Sequence, residues 1–189
     1  MGNQTKKLLA VALLGGLALS GVGVAHLRSR WTSPYRQQTD SPVVGLTIQE
    51  VDDLLNGRGA GYARMAELNS YPGPRHVLDL KQPLDLTVDQ AQSIQATFDQ
   101  MQADAQRLGR QIVEQEQQLS QAFADDRITR AALRQQLDRL AQLYADLRAV
   151  HLEAHMAITP ILTAAQIERY DRLRGYGQLS SQSGHTHSH

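Results

Sequence analysis

The sequence predicts an all-α fold: an elongated antiparallel helical hairpin with short flanking helices. Ala91, Ile94, Phe98, Met101, Ala105, Leu108, Ile112, Leu119 and Phe123 advance by alternate threes and fours, with one step missing near Gln115, so a single apolar stripe runs along one long helix. Leu133, Leu137, Leu140, Tyr144, Leu147, His151, Ala154 and Ile158 keep the same spacing up to Thr159-Pro160, where proline ends or kinks the helix. Asp125-Asp126-Arg127 separates the two stripes, and a short loop there turns them into an antiparallel pair. At about 1.5 Å per residue each arm is roughly 45 to 55 Å long. Two stripes alone do not close a core, so the hairpin must bury its remaining apolar face against the flanking helices, a second copy or a client.

The chain has 189 residues, with 19 Lys+Arg, 19 Asp+Glu and no Cys. The absence of Cys excludes a disulfide framework, a thiolate metal site and a Cys nucleophile, which leaves packing to hold the fold. Balanced charge with no basic block gives no counterion-release term, which argues against nucleic acid as a partner. Lys6 and Lys7 precede an apolar run from Leu8 to Val24, and Gly23-Val24-Ala25 offers small residues before a cut after Ala25. Residues 1–25 therefore read as a signal peptide or an N-terminal membrane anchor, and the chain as periplasmic. Removing them takes away two Lys and no acid, leaving 17 basic against 19 acidic side chains and Lys81 as the only lysine. Residues 26–45 read as a flexible linker, 46–176 as the helical domain and 177–189 as a disordered His-containing tail.

Within the domain, the helix starts share a local grammar. Leu86-Thr87-Val88-Asp89-Gln90-Ala91 and Leu162-Thr163-Ala164-Ala165-Gln166-Ile167 both read L-T-x-x-Q followed by an apolar residue, and Leu46-Thr47-Ile48-Gln49-Glu50-Val51 repeats it with glutamate. In each box the threonine caps the N–H three residues on, the Gln or Glu answers to the threonine N–H, and the leucine staples onto the next apolar residue. Between the boxes at Leu46 and Leu86, Pro72-Gly73-Pro74 fixes a turn, and Arg75 to Leu80 form a short helix across the hairpin.

Two L-T-x-x-Q boxes, one opening a long Gln-rich helix and one opening the last short helix behind an export signal in a Cys-free chain, resemble the Spy/CpxP family over about residues 84–176. The resemblance implies a small all-helical periplasmic protein, a homodimer with a curved cradle. Its members guard envelope proteins against aggregation or report metal and envelope stress to a sensor kinase, and they include zinc-associated and nickel- and cobalt-sensing relatives. Residues 54–83 match nothing in the better-known members.

Three functional readings follow. The first is an ATP-independent chaperone for unfolded envelope proteins. The second is a periplasmic heavy-metal sensor or resistance protein, binding Zn, Ni or Co, and the third is an adaptor for a sensor kinase. For the second, His151 and His155 stand one helical turn apart and their rings can share an ion. Reflecting the hairpin about residue 126 puts Met101 opposite His151, with Asp99 and Asp104 about one turn either side; His, Met and carboxylate suit a borderline ion. The same seam position also suits a polar residue that fixes register. His185, His187 and His189 alternate on the tail, where two or three imidazoles can wrap one ion. His76 stands alone and reads as structural or exposed. The arginines along the helices are mainly solvated face, with i to i+4 pairs such as Glu168 with Arg172. The chain shows no nucleophile elbow, phosphate loop or H-E-x-x-H, so it reads as no enzyme.

Overall fold

The computed structural model describes residues 32–176. The chain divides into two compact units, Met1–Arg36 and Gln37–His189. Residues 32–36 of the first are exposed. The signal or anchor segment, part of the linker and the tail with His185, His187 and His189 lie outside the described residues. Among the described residues no helix is long and apolar enough to cross a membrane.

A 3-10 turn over Arg36–Asp40 is followed by six α-helices: α1 (Ile48–Leu55), α2 (Arg64–Glu67), α3 (Pro74–Asp79), α4 (Val88–Ala124), α5 (Arg130–Ile158) and α6 (Ala164–Arg174). The described residues form no strand. The 37 residues of α4 and the 29 of α5 make the antiparallel hairpin. The α4 helix stops where the sequence turns acidic, with Asp125 at its end and Asp126 in the left-handed region at φ 52°. Thr129 opens α5, its Oγ1 accepting from the Ala132 N–H at 3.2 Å. At the other end α5 stops at Ile158 and passes into a 3-10 turn, Thr159–Ile161, because Pro160 has no N–H to continue the helix.

The hairpin is covered along part of its length by what precedes it, in two apolar clusters. In the first, Val43, Leu46, Val51 and Leu54 pack on Ala105, Leu108 and Ile112 of α4 and on Leu140, Leu143 and Leu147 of α5. In the second, Val77 and Leu84 meet Ile94, Ile158, Leu162 and Tyr170, which joins α3, both hairpin arms and α6. Each such side chain contributes about 1.5 to 3 kcal/mol by leaving water. The packed unit extends further upstream than residue 46: Ser41 and Val43 are buried, and the Val43 carbonyl accepts from the Leu46 N–H at 3.1 Å. The end of the stretch read as linker therefore belongs to the core, because Val43 supplies an apolar contact that the polar residues around it conceal. Pro74 begins α3 at the first helical position, where its missing N–H costs nothing.

The α1–α4 contact rests on one glycine. A Cβ placed on Gly109 would lie 1.9 Å from the Leu54 carbonyl oxygen, so the end of α1 touches the α4 backbone directly. Gly59, in contrast, has open space around it. We predict that Gly109→Ala lowers unfolding free energy by at least about 1 to 3 kcal/mol, the usual cost of forcing atoms into a packed contact, whereas Gly59→Ala leaves it within about 0.5 kcal/mol; urea denaturation of both variants checks the contrast.

Candidate functional site

The two L-T-x-x-Q boxes both form complete capping boxes, and the structure brings them together. Thr87 accepts from the Gln90 N–H and Thr163 from the Gln166 N–H, while each glutamine Oε1 accepts from its own threonine N–H, at 3.0 Å and 2.9 Å. That leaves each amide nitrogen free to reach across. Gln90 Nε2 donates to the Ile161 carbonyl at 2.8 Å and to Gln166 Oε1 at 2.9 Å. Gln166 Nε2 donates to the Leu84 carbonyl at 3.2 Å and to Gln90 Oε1 at 3.0 Å. Each glutamine thus caps its own helix and satisfies a carbonyl just ahead of the other's box. Leu162 lies in the second apolar cluster and Leu86 packs against it, placing the joint directly over that core. A third box, Thr47 with Glu50, opens α1 by the same local bonds.

A second polar constellation stands between the apolar clusters and centres on Glu67, the last residue of α2. Its Oε1 accepts from Tyr170 Oη, from His76 Nδ1 at 3.1 Å and from Tyr176 Oη at 3.2 Å, and lies 3.4 Å from Arg174 Nε. His155 Nδ1 donates to the Tyr71 carbonyl at 2.8 Å and stands 3.8 Å from Glu67 Oε2. Nearby, Ser70 Oγ donates to Asp171 Oδ2 at 2.6 Å. Glu67, Ser70 and Tyr71 therefore tie the stretch before α3 to α5 and α6. Gly73 allows this closeness: a Cβ there would be 3.0 Å from His155 Cε1 and 3.1 Å from Glu67 Oε2. Burial alone would raise the Glu67 pKa, but the bonds from His76 and Tyr170 and the nearby His76 and His155 hold it down at about 2. Burial and the Glu67 carboxylate push the Tyr170 phenol well above its ordinary value, so it stays a donor.

Of the candidate metal-ligating residues, His151 and His155 lie one turn apart on α5 and Met101 lies on α4. His151 is buried, its ring stacked on Tyr62 at a centroid distance of 5.7 Å and an interplanar angle of 10°. His155, also buried, has its Nδ1 committed to the Tyr71 carbonyl. Met101 sits level with this part of α5 but around the side, in a groove of about 450 Å³ with Asp104, Val150, Glu153, Ala154 and Ala157. Asp99 accepts from Gln95, and Asp104 from Gln100 and Arg107. Among the described residues no group of three or more His, Cys, Asp or Glu is placed to hold a metal ion. His76, read from sequence as structural or exposed, bonds Glu67 Oε1 through Nδ1 with its side chain 42% exposed. Glu168 and Arg172 do approach, to 3.9 Å, on the exposed side of α6.

Glu67, Tyr170, Arg174, Tyr176 and Tyr62 carry these polar contacts, and no sequence pattern singled them out. No protein-family model matches the chain, and neither a curated protein nor a solved structure is found that matches it.

Two predictions follow from these contacts. Gln90→Ala and Gln166→Ala should each destabilise the fold, and the double variant should cost less than their sum by 0.5 kcal/mol or more, since two residues sharing a pair of bonds are coupled; a double-mutant cycle by urea unfolding reads the difference. The second concerns acid. Burial, with His155 close by, lowers the His151 pKa from 6.5 to about 4, and its Nε2 has no hydrogen-bond partner. The folded state therefore holds His151 neutral, and stability is complete above the unfolded value of 6.5 and falls as the pH drops toward 4. Between pH 7 and pH 5 this amounts to about 2 kcal/mol. The Glu67 contribution, from 4.5 to about 2, is lost only at lower pH. His151→Leu should flatten the slope between pH 7 and pH 5 in urea unfolding.

Proposed function

We propose that this chain is an ATP-independent holding chaperone of the Spy/CpxP type, exported to the periplasm, that takes up unfolded envelope proteins on the outer part of its hairpin. The observation that supports this reading is the uneven covering of the arms. The buried residues of both apolar clusters lie at Ile112 and before on α4 and at Leu140 and beyond on α5; Val113 and Leu119 are only partly buried against the first, and from Val113 to Arg139 no residue is buried. Yet the apolar stripe continues there, through Leu119, Phe123, Leu133 and Leu137. Phe123 is 56% exposed and Leu137 43%. Apolar side chains that a two-helix arm does not enclose can hold a client by weak, non-directional contacts. Around them lie exposed glutamines and the exposed Arg110, Arg127, Arg130, Arg134 and Arg139, which keep the arm soluble and attract acidic stretches of a client.

Light scattering from a chemically denatured test protein diluted into buffer tests the proposal. The chain should suppress aggregation at near-stoichiometric ratios without nucleotide. The variant Phe123→Ser, Leu137→Ser should lose at least half of that protection while its melting temperature stays close to that of the parent, because neither side chain is part of a buried cluster. No protection by the parent chain at tenfold excess would overturn the reading.

A further inference from the structure

A cleft of about 360 Å³ opens between the loop at residues 59–61, α2 and the C-terminal end of α6, with Arg64, Glu67, His76, Arg174 and Tyr176 among its walls. That volume is at the lower end of the range for small-molecule sites, about 300 to 1,000 Å³. Its charge is not self-cancelling. Glu67 is the only acid in the lining, and its Oε1 already receives Tyr170, Tyr176 and His76 and faces Arg174. Arg174 spends Nε on Glu67 and Nη2 on Tyr176 Oη at 3.2 Å, which leaves Nη1 uncommitted. The Arg64 side chain has neither an ion pair nor a hydrogen bond among the described residues. Arg64 owes its position to Gly61: Nη2 lies 2.9 Å from where a Cβ on that residue would stand, and Gly61 has φ +83°. The guanidinium therefore lies across bare backbone at the mouth of the cleft. His76 is anchored through Nδ1, with its side chain 42% exposed.

Two guanidiniums thus line a small concavity whose single carboxylate is already engaged by four donors. We propose that this cleft binds a small molecule through an oxyanion group, a carboxylate or a phosphate, held between Arg64 and Arg174 with His76 at its edge. Guanidinium N–H groups come in planar pairs that match the oxygens of either anion, which a lysine would not do. The Tyr176 ring, 5.7 Å from the Arg174 guanidinium carbon, and Leu68 offer an apolar wall to the rest of the ligand. Glu67 acts here as a positioning residue, since it fixes Arg174 and His76 and points no free charge of its own at the anion. This site is separate from the outer hairpin and does not rest on the chaperone reading.

Isothermal titration of the full chain at pH 7 and constant ionic strength, with inorganic phosphate in one arm and succinate in the other, tests it. Saturable binding of one or both is expected, weakened at least tenfold by Arg64→Gln and unchanged by Arg134→Gln, an exposed arginine on α5. Tighter phosphate binding assigns a phosphate ligand, and tighter succinate binding assigns a carboxylate. Arg64 is exposed and unpaired, so Arg64→Gln should keep the parent's melting temperature, which a thermal scan verifies. Absence of saturable binding in both arms, or equal affinity in the Arg64→Gln variant, would overturn the proposal.

Discussion

The pair of bonds between the Gln90 and Gln166 side chains turns two ordinary helix starts into one joint. A capping box is a local device: it satisfies two N–H groups of its own helix and says nothing about where that helix goes. A glutamine in the answering position keeps an NH₂ group to spare after its oxygen has capped, which a glutamate does not. Here each spare NH₂ crosses to the other box and takes up a carbonyl that the other chain segment leaves open, at Ile161 and at Leu84. All four hydrogen-bonding functions of the two side chains are used, in a partly buried place where leaving one unmade would cost about 1 to 3 kcal/mol. The starts of α4 and α6 are thereby fixed to each other, and with them the angle at which α6 returns over the open end of the hairpin. The glutamate box at Thr47 has no such spare donor, and it remains a cap only.

Once α6 is fixed, Tyr170 and Arg174 are brought down onto Glu67, and the second polar constellation assembles. A buried carboxylate is costly unless it is matched, and this one is matched by donors from α3 and α6 and from the segment after it. The acid sits on a helix of four residues that would have no stability of its own, so it is held by its partners rather than by its own helix. The same donors link the stretch of residues 58–79 to α6, while His155 on the Tyr71 carbonyl and Tyr62 stacked on His151 link it to the hairpin. That stretch lies along the side of the hairpin where the histidines of α5 face, which explains why His151 is enclosed and why a proton on it is disfavoured.

The parts that were legible in the sequence are those governed by local periodicity. A stripe at threes and fours over thirty residues has one physical solution, and α4 and α5 end where Asp125 and Pro160 say they must. The threonine and glutamine boxes were legible as caps for the same reason. That they grip one another was not, because Gln90 and Gln166 are 76 residues apart and either amide would be satisfied by water in an isolated helix. Glu67 was illegible more completely: four helical residues carry no period, and its partners lie 9, 103 and 109 positions away. Met101 shows where reflection about a loop fails. The level along the hairpin was right, but each residue turns the helix by about 100°, so one position of error in phase moves a side chain to another groove. Nothing in the local sequence marks Gly109; the approach of the Leu54 carbonyl reveals it as the condition for α1 to pack.

The distribution of these contacts also separates what holds the chain from what the chain can do. The glutamine joint, the Glu67 constellation, the Tyr62–His151 stack and the buried residues of both apolar clusters lie at Ile112 and before on α4 and at Leu140 and beyond on α5. Between Val113 and Arg139 the arms are tied by Glu116, which accepts from Tyr144 Oη at 3.3 Å, and by Val113 and Leu119, partly buried against the first cluster. A helix pair without a third element to cover it opens more readily than the core to which it is attached, and its two chains part first at the loop. Stability and surface are therefore assigned to different ends of the same two helices. Phe123 and Leu137 stay exposed at the outer end, yet the stripe continues there in the same period as in the core. In the chaperone we propose, the exposed part of that stripe is where a client makes its apolar contacts.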